Sequence, residues 1–470
     1  QASCPKGSKT RTKIKRILNY IQNLMLTFIN ETWIERYGSP LHNETIMLLW
    51  SFIVSVYGIG GLLGSLYCGY LTTKYRKKKC QIVTNLIMLV AALFMAFCKM
   101  AKSFEMILIG RFLYGIGTGF SLIIHPQYVG EISPKKLRGF SNSTLAVFLT
   151  LGKLSGQIFG LRELLGSESL WPLLLASTGL TALIQLIMLP FFPESPSYLL
   201  IQKGNEDAFM KAIKQLWGEG DHQAEIDDIL KEKAAMKSTK TLRVLELFKE
   251  RSLRWQLYIL VTIMTTLQLS GVNAVECFPC VKTQSLMLGA WEVISSFGDG
   301  INHICGDVFS AFQSSLIERF GRRILLCGGY VLMIFVLTLL TVTLSLQVRR
   351  FPNLYFSSIT GATVSIMTEI FSQSFRPSAF LINGCVSWIW LSVLGMIFPY
   401  IVESLGPFCF LIFLGLLVFS TIFTYLFLPE TKGKSIMEIR GEFNKLNFGK
   451  KQAVNTENNL SKEHTFCTKL

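Results

Sequence analysis

Long uncharged runs, separated by short polar stretches, set the pattern of this chain. Residues 46–73, 80–98, 169–193, 255–275, 324–348, 377–402 and 405–429 contain no Asp, Glu, Lys or Arg. Residues 351–368 are equally clean, 106–130 carry only Arg111, and 139–161 carry only Lys153 between their ends. The hydrocarbon core of a bilayer is about 30 Å thick and takes about 20 helical residues. Lipid offers the backbone no hydrogen-bond partner, so such runs cross it as helices. These segments predict ten spans.

Two more positions are weaker. Residues 17–29 (ILNYIQNLMLTFI) are short for a crossing and are also readable as a surface helix led by Lys13, Lys15 and Arg16. Residues 285–317 contain Glu292, Asp299, His303 and Asp307; each acid costs roughly 2.5–3.5 kcal/mol at the bilayer centre. The first and eighth spans are therefore doubtful on their own sequence. Between the sixth and seventh lies a charged stretch, 194–254. Its Phe209, Ala212, Ile213 and Leu216, then Ile226, Ile229 and Leu230, recur at helical spacing, which predicts a helical linker.

Composition agrees with this pattern. Half of the 470 residues are hydrophobic, 16% are charged, and the mean hydropathy is +0.42, more apolar surface than one water-soluble core hides. The net charge of +16, from 46 basic and 30 acidic residues, does not point to nucleic acid, because the basic residues sit between apolar runs. Lys74 and Arg76 to Lys79, then Lys135, Lys136 and Arg138, then Arg319, Arg322 and Arg323, fall on alternate loops that share a side with the linker and tail. The positive-inside rule puts that side in the cytoplasm. Asn30-Glu31-Thr32 and Asn43-Glu44-Thr45 are glycosylation acceptors on the opposite side, which makes Asn30 and Asn43 the expected carriers. Matches at Asn142 and Asn459 are read as chance.

Eleven cysteines are scattered through apolar stretches and are read as buried thiols. The pair Cys277 and Cys280 lacks the second pair or the histidines of a zinc site. No metal and no cofactor is expected, and no nucleophile, metal or phosphate-loop constellation points to an enzyme. The opening Gln1-Ala2-Ser3-Cys4 is not the start of a signal peptide, and a preceding segment is expected.

The two halves echo each other at a spacing of about 240 residues. Lys74-Tyr75-Arg76-Lys77-Lys78 recurs as Arg319-Phe320-Gly321-Arg322-Arg323. Glu131 and Arg138 recur as Glu369 and Arg376, and PESP at 193 recurs as PETKG at 429. A repeat of this length implies two similar bundles related by an axis along the membrane normal. The series GRFLYGIGTG at 110, EISPKKLRG at 131, LWPLLLAS at 170, PESPSYLL at 193, LQLSGVNAV at 267, ERFGRR at 318 and LPETKGKS at 428 resembles the facilitative hexose (glucose and fructose) transporters of solute carrier family 2. The likeness is strongest to their fructose-transporting branch and covers about residues 30–450.

The resemblance implies an all-α polytopic membrane protein of the major facilitator fold. It places an N-terminal bundle over 1–193, a cytoplasmic helical linker over 194–254, a C-terminal bundle over 255–429 and a cytoplasmic tail over 430–470. It also implies that Arg111, Glu131, Arg138, Glu318, Arg322, Arg323, Glu369 and Arg376 form a cytoplasmic gate, shut in one state and parted in the other. A single wet ion pair contributes about 0–1 kcal/mol, so only a network biases such an equilibrium. Ordinary topogenic charge is the competing reading.

A sugar is uncharged and rich in hydroxyls, and calls for amide and hydroxyl groups with an aromatic face. Polar residues inside clean spans are Gln157 in the fifth, Gln268 and Asn273 in the seventh, and Trp388 in the eleventh; each falls on a hexose-contacting position of the family. Helix-to-helix hydrogen bonding, or packing for Trp388, is the plainer alternative. Ser387 stands where the family has Asn or His, Leu267 where it has Gln, Arg76 where it has Gly and Ser197 where it has Arg. The hinge of the tenth span is reduced to SITGATVSIMTE at 358, and 276–300 lose the likeness.

Facilitated diffusion of a hexose at the plasma membrane is the leading expectation. A proton-coupled symporter needs a membrane carboxylate, and the first-half spans hold none deep within them. Lys153, one turn before Gln157, raises a urate alternative, and the altered spans raise that of a transport-inactive sensor or interaction partner.

Overall fold

The computed structural model describes residues 20–74, 77–133, 164–201, 203–218, 253–270, 322–345, 376–405 and 408–430, with positions 148, 151–152, 155–156, 158–160, 226, 230, 370, 439, 441–443 and 447. The expected eighth and tenth spans lie outside these residues.

Among the described residues, the first half is built from α1 (Tyr20–Tyr37), α2 (Asn43–Lys74), α3 (Lys77–Phe97), α4 (Glu105–Ile132), α5 (Trp171–Ala176) and α6 (Thr178–Met188). The linker supplies α7 (Pro196–Ile201) and α8 (Glu206–Trp217). The second half supplies α9 (Arg254–Leu269), α10 (Arg322–Ser345), α11 (Arg376–Leu405) and α12 (Cys409–Phe427). Six stretches of described helix are long and apolar enough to cross a membrane: Glu44–Cys68, Lys77–Phe97, Glu105–Val129, Trp171–Phe191, Leu381–Val402 and Cys409–Phe427.

The doubtful opening segment is helical from Tyr20 and is not among the six membrane-length stretches. As α1 it extends to Tyr37 and enters the first bundle, because Met25 and Ile29, one turn apart, are buried with Ala91, Met95, Ile107 and Trp171. Phe28 meets Trp171 edge-on, with ring centroids 5.5 Å apart. The sixth span runs from Trp171 to Phe191 with one tighter turn at Ser177, whose hydroxyl donates back to the Leu174 carbonyl at 2.8 Å. The seventh span, expected to reach 275, ends as described helix at Leu269.

Glycine sets the distance between α2 and α4. A methyl group on Gly60 or Gly64 would fall 2.2 Å from the Phe112 carbonyl oxygen or 2.4 Å from that of Ile116; one on Gly115 or Gly119 would fall 2.1 Å from the carbonyl oxygen of Tyr57 or 2.3 Å from that of Gly61. The backbones touch because these four residues have no side chain.

In the second half, α12 buries Cys409, Phe410, Phe413, Leu417, Ser420 and Thr424, a single helical face, against α9, α10 and α11. Its other face exposes Phe419, Ile422 and Leu426, which suits lipid. In the linker, Asn205 caps α8 by accepting from the Ala208 N–H at 2.9 Å. The expected apolar face of α8, Phe209, Ala212 and Ile213, packs on Leu199 and Leu200.

Candidate functional site

Three sets of contacts organise the molecule along its length. At the end carrying Lys77 to Lys79, both halves make the same clasp. The Glu194 carboxylate accepts the backbone N–H of Lys78 at 3.4 Å, in the first turn of α3; the Glu430 carboxylate accepts that of Arg323 at 3.2 Å, in the first turn of α10. A carboxylate at a helix N-terminus answers both the orphan N–H groups and the dipole. The Lys78 ammonium in turn donates to the carbonyls of Pro190 (3.1 Å) and Phe192 (2.6 Å), and the Arg323 guanidinium to that of Tyr425 while lying over its ring at 4.9 Å. Lys78 and Arg323 occupy the same place in the repeated basic motif, and Glu194 and Glu430 the same place in PESP and PETKG. The linker joins this end through the Trp217 indole N–H, which donates to the Ile132 carbonyl at 2.8 Å.

Of the expected gate residues, Arg323 is thus engaged within its own bundle. Glu131 lies in the last turn of α4, Arg322 begins α10 and Arg376 begins α11; their side chains, and Arg138, Glu318 and Glu369 entirely, lie outside the described residues. Arg111 has to be removed from the set. It sits near the Glu105 end of α4, twenty residues before Glu131, which is about 30 Å along a helix. Sequence reasoning grouped it by charge and family motif, and overlooked that α4 runs towards the basic end. It also left out Lys78, Glu194 and Glu430, although the register of the repeat pairs them.

Midway, the two halves meet where α2 crosses α11 in antiparallel register. Trp388, 5% exposed, lies on the backbone of Gly61 and meets the Tyr57 ring edge-on at 5.6 Å. The Arg111 guanidinium lies over the Tyr57 ring, 5.9 Å from its centre, and its Nε has no hydrogen-bond partner among the described residues. The Tyr57 hydroxyl is 3.2 Å from that of Thr118 on α4. Trp390, two residues beyond Trp388, turns to the other side of α11 and donates its indole N–H to the Thr265 hydroxyl on α9 at 3.0 Å. Gln268, half-buried, stands one turn beyond Thr265, and Ser387, also half-buried, one turn before Trp390. Gln157, Asn273 and Lys153 lie outside the described residues. Tyr57, Thr118, Thr265 and Trp390 were missed because their hydroxyl and indole groups sit in runs that read as plain apolar spans.

At the far end, Arg36 pairs with Glu105 and donates to the Lys102 carbonyl at 2.9 Å, and Lys102 pairs with Glu35. These contacts tie α1 to the turn between α3 and α4. The Asn30 side-chain carbonyl accepts from the Leu41 N–H at 3.2 Å, a bond that does not use its amide nitrogen. Asn43 opens α2. Among the described residues, no group of His, Cys, Asp and Glu is arranged to hold a metal ion.

Two helical bundles, each closed by the same clasp and joined across α2 and α11, give this chain the major facilitator fold. The major facilitator superfamily proton:xylose symporter XylE, in its complex with 6-bromo-6-deoxy-D-glucose, superposes with a TM-score of 0.68 over 93% of this chain and 99% of its own, at 18% identity. The inward open conformation of the xylose transporter XylE from E. coli gives 0.67 over 92% and 98%, at 19% identity.

The particular family follows from the sequence. Residues 16–443 match the model of the "Sugar (and other) transporter" family, and the chain belongs to it. It is 40% identical over 445 residues to human solute carrier family 2, facilitated glucose transporter member 11, covering 90% of this chain and 87% of that protein. Human member 7 is 38% identical over 446 residues (92% and 86%), and member 5 of Pongo abelii 39% over 438 residues (90% and 87%). Membership implies a sugar as the substrate class and a membrane as the setting, and these relatives are named as transporters, not enzymes.

Proposed function

We propose that this chain carries out facilitated, uniport transport of a hexose, glucose or fructose, by alternating access of its two bundles. The carrying observation is the likeness to facilitated glucose transporter members 5, 7 and 11 at 38–40% identity over about nine-tenths of the chain. The position of charge supports it. In α2, α3 and α4 the only acidic residues are Glu44, Glu105 and Glu131, all at helix ends, so these three helices offer no mid-membrane carboxylate to carry a proton; α1 holds Glu31 and Glu35 in its second half.

In this reading Gln157, Gln268, Asn273 and Ser387 supply hydrogen bonds to sugar hydroxyls, and Trp388 an aromatic face. Glu131, Arg138, Glu318, Arg322, Arg323, Glu369 and Arg376 form the cytoplasmic network. The linker and the tail are cytoplasmic, Asn30 and Asn43 carry glycans, and the protein works at the plasma membrane. Radiolabelled hexose flux into proteoliposomes, with and without a pH gradient, tests the reading. Flux of equal rate under both conditions is expected. Accumulation driven by the gradient would make the protein a symporter, and absence of flux a transport-inactive relative. Lys153→Leu is expected to leave the ratio of fructose to urate uptake unchanged; a shift would establish an anionic substrate.

A further inference from the structure

The contact between bundles differs in kind from the contacts within them. Within the first bundle, backbone touches backbone and Tyr57 is hydrogen-bonded to Thr118; within the second, Trp390 is hydrogen-bonded to Thr265. Across the seam, four places on α2 meet four on α11 in order. A methyl group on Gly395 would fall 3.1 Å from the Ser55 hydroxyl, one on Gly58 2.4 Å from that of Ser392, and one on Gly384 3.4 Å from that of Ser65. One on Gly61 would fall 2.3 Å from Cδ2 and 2.4 Å from Cε3 of Trp388.

The two seam hydroxyls best placed to bridge do not. Ser55 donates to the Ser51 carbonyl at 2.8 Å and Ser392 to the Trp388 carbonyl at 2.8 Å, each inside its own helix. Parting α2 from α11 at these positions breaks neither of these hydrogen bonds and strands neither group, so among these four pairs the seam rests on packing, with the edge-on contact of Tyr57 and Trp388 beside it. Trp388 is the one large side chain among the four pairs, and the floor of its seat is the bare backbone of Gly61.

We infer that Gly61 and Trp388 form a reversible latch, closed in the conformation described and withdrawn when the bundles rock. This inference rests on the alternating-access reading. Trp388 then serves the transport cycle twice: its ring is covered while the latch is closed and becomes available to a sugar when it opens. A side chain on Gly61 overlaps the closed ring and favours the parted state.

The test traps the latch. Ser65 Cβ lies 3.7 Å from a Cβ built on Gly384, within the span of a disulfide. Ser65→Cys combined with Gly384→Cys in the full chain, in proteoliposomes, is expected to form a cystine under mild oxidation, mapped at that pair by peptide mass. Its formation should stop hexose flux, and reductant should restore it. Adding Gly61→Ala should lower cystine formation about tenfold, as overpacking by one methyl shifts a balanced equilibrium. Adding Trp388→Leu on top should restore it.

Equal cystine yield with and without Gly61→Ala, or flux unaffected by the cystine, overturns the latch and makes the seam a fixed joint. Ser65→Cys alone supplies a reading without substrate. Ser65 is fully buried in the closed seam, so maleimide labelling of the new thiol reports opening. Labelling should rise with Trp388→Leu, which leaves Gly61 untouched; no labelling in either variant overturns the latch. If the parent shows no flux, the hexose reading fails while labelling and cystine yield still decide the latch.

Discussion

Single residues in this protein act mostly through what they leave out or what they share. Gly115 leaves out a side chain where α4 meets the Tyr57 carbonyl oxygen at 2.1 Å from its missing Cβ, and a backbone atom cannot turn away as a side chain does. Gly115→Ala is expected to cost on the order of 1–3 kcal/mol, seen as a lower unfolding temperature in detergent. Tyr57 is shared by three partners: Thr118 through its hydroxyl, Arg111 through its face and Trp388 at its edge. Tyr57→Phe removes only the first and should cost about 0.5–1.5 kcal/mol by the same measurement. Tyr57→Leu should cost more, since it also removes the ring on which Arg111 lies. The glycines were visible in the sequence as GRFLYGIGTG on α4 and GIGGLLG on α2, but that the two strips face each other was not, because neither string records which helix lies beside it.

Helices are the scale at which the internal repeat becomes physical. In each half, a glutamate after a proline caps the helix that follows the basic motif, α3 or α10, and a basic residue in that helix answers carbonyls at the end of the last described apolar helix of the half. Glu194→Ala and Glu430→Ala are expected to destabilise by similar amounts, about 1 kcal/mol each, because each removes one carboxylate from a helix N-terminus. Unequal effects, measured side by side as midpoints of thermal unfolding, would mean that the two clasps are not equivalent. The linker helix follows local rules throughout: an Asn205 cap, Glu206 and Asp207 in the first turn, Lys214 in the last, and Gly218 at a φ of +81° closing it. Such signals are carried by neighbours in the chain, which is why its apolar face was legible beforehand. The tighter turn at Ser177 was not, since a serine in a long apolar run reads as an ordinary helix residue until its hydroxyl is seen to turn back on the ladder.

At the scale of the whole molecule, α1 is held by the far-end contacts as much as by its own apolar face. Arg36, Glu105, Lys102 and Glu35 join residues some seventy positions apart. Arg36→Ala with Lys102→Ala should loosen α1 and speed limited proteolysis in the connection over 38–42, with the second bundle cut at an unchanged rate. Equal cutting of both would indicate general destabilisation.

Hydropathy and charge, which are properties of consecutive residues, determined by themselves that this chain is a bundle of membrane helices in two related halves. Uncharged runs of about 20 residues, with no backbone partner in lipid, cross as helices, and the repeated motifs relate the halves. The ordered motifs likewise carried the family. What only the tertiary structure decided is partnership. It placed Arg111 on Tyr57 rather than in a gate, drew the opening segment into the first bundle, and seated Trp388 on Gly61 across the seam. The physical reason is direction. A helix shows every side chain to a different neighbour about each 100°, and which neighbour stands there depends on how distant helices cross, something that local pattern does not record.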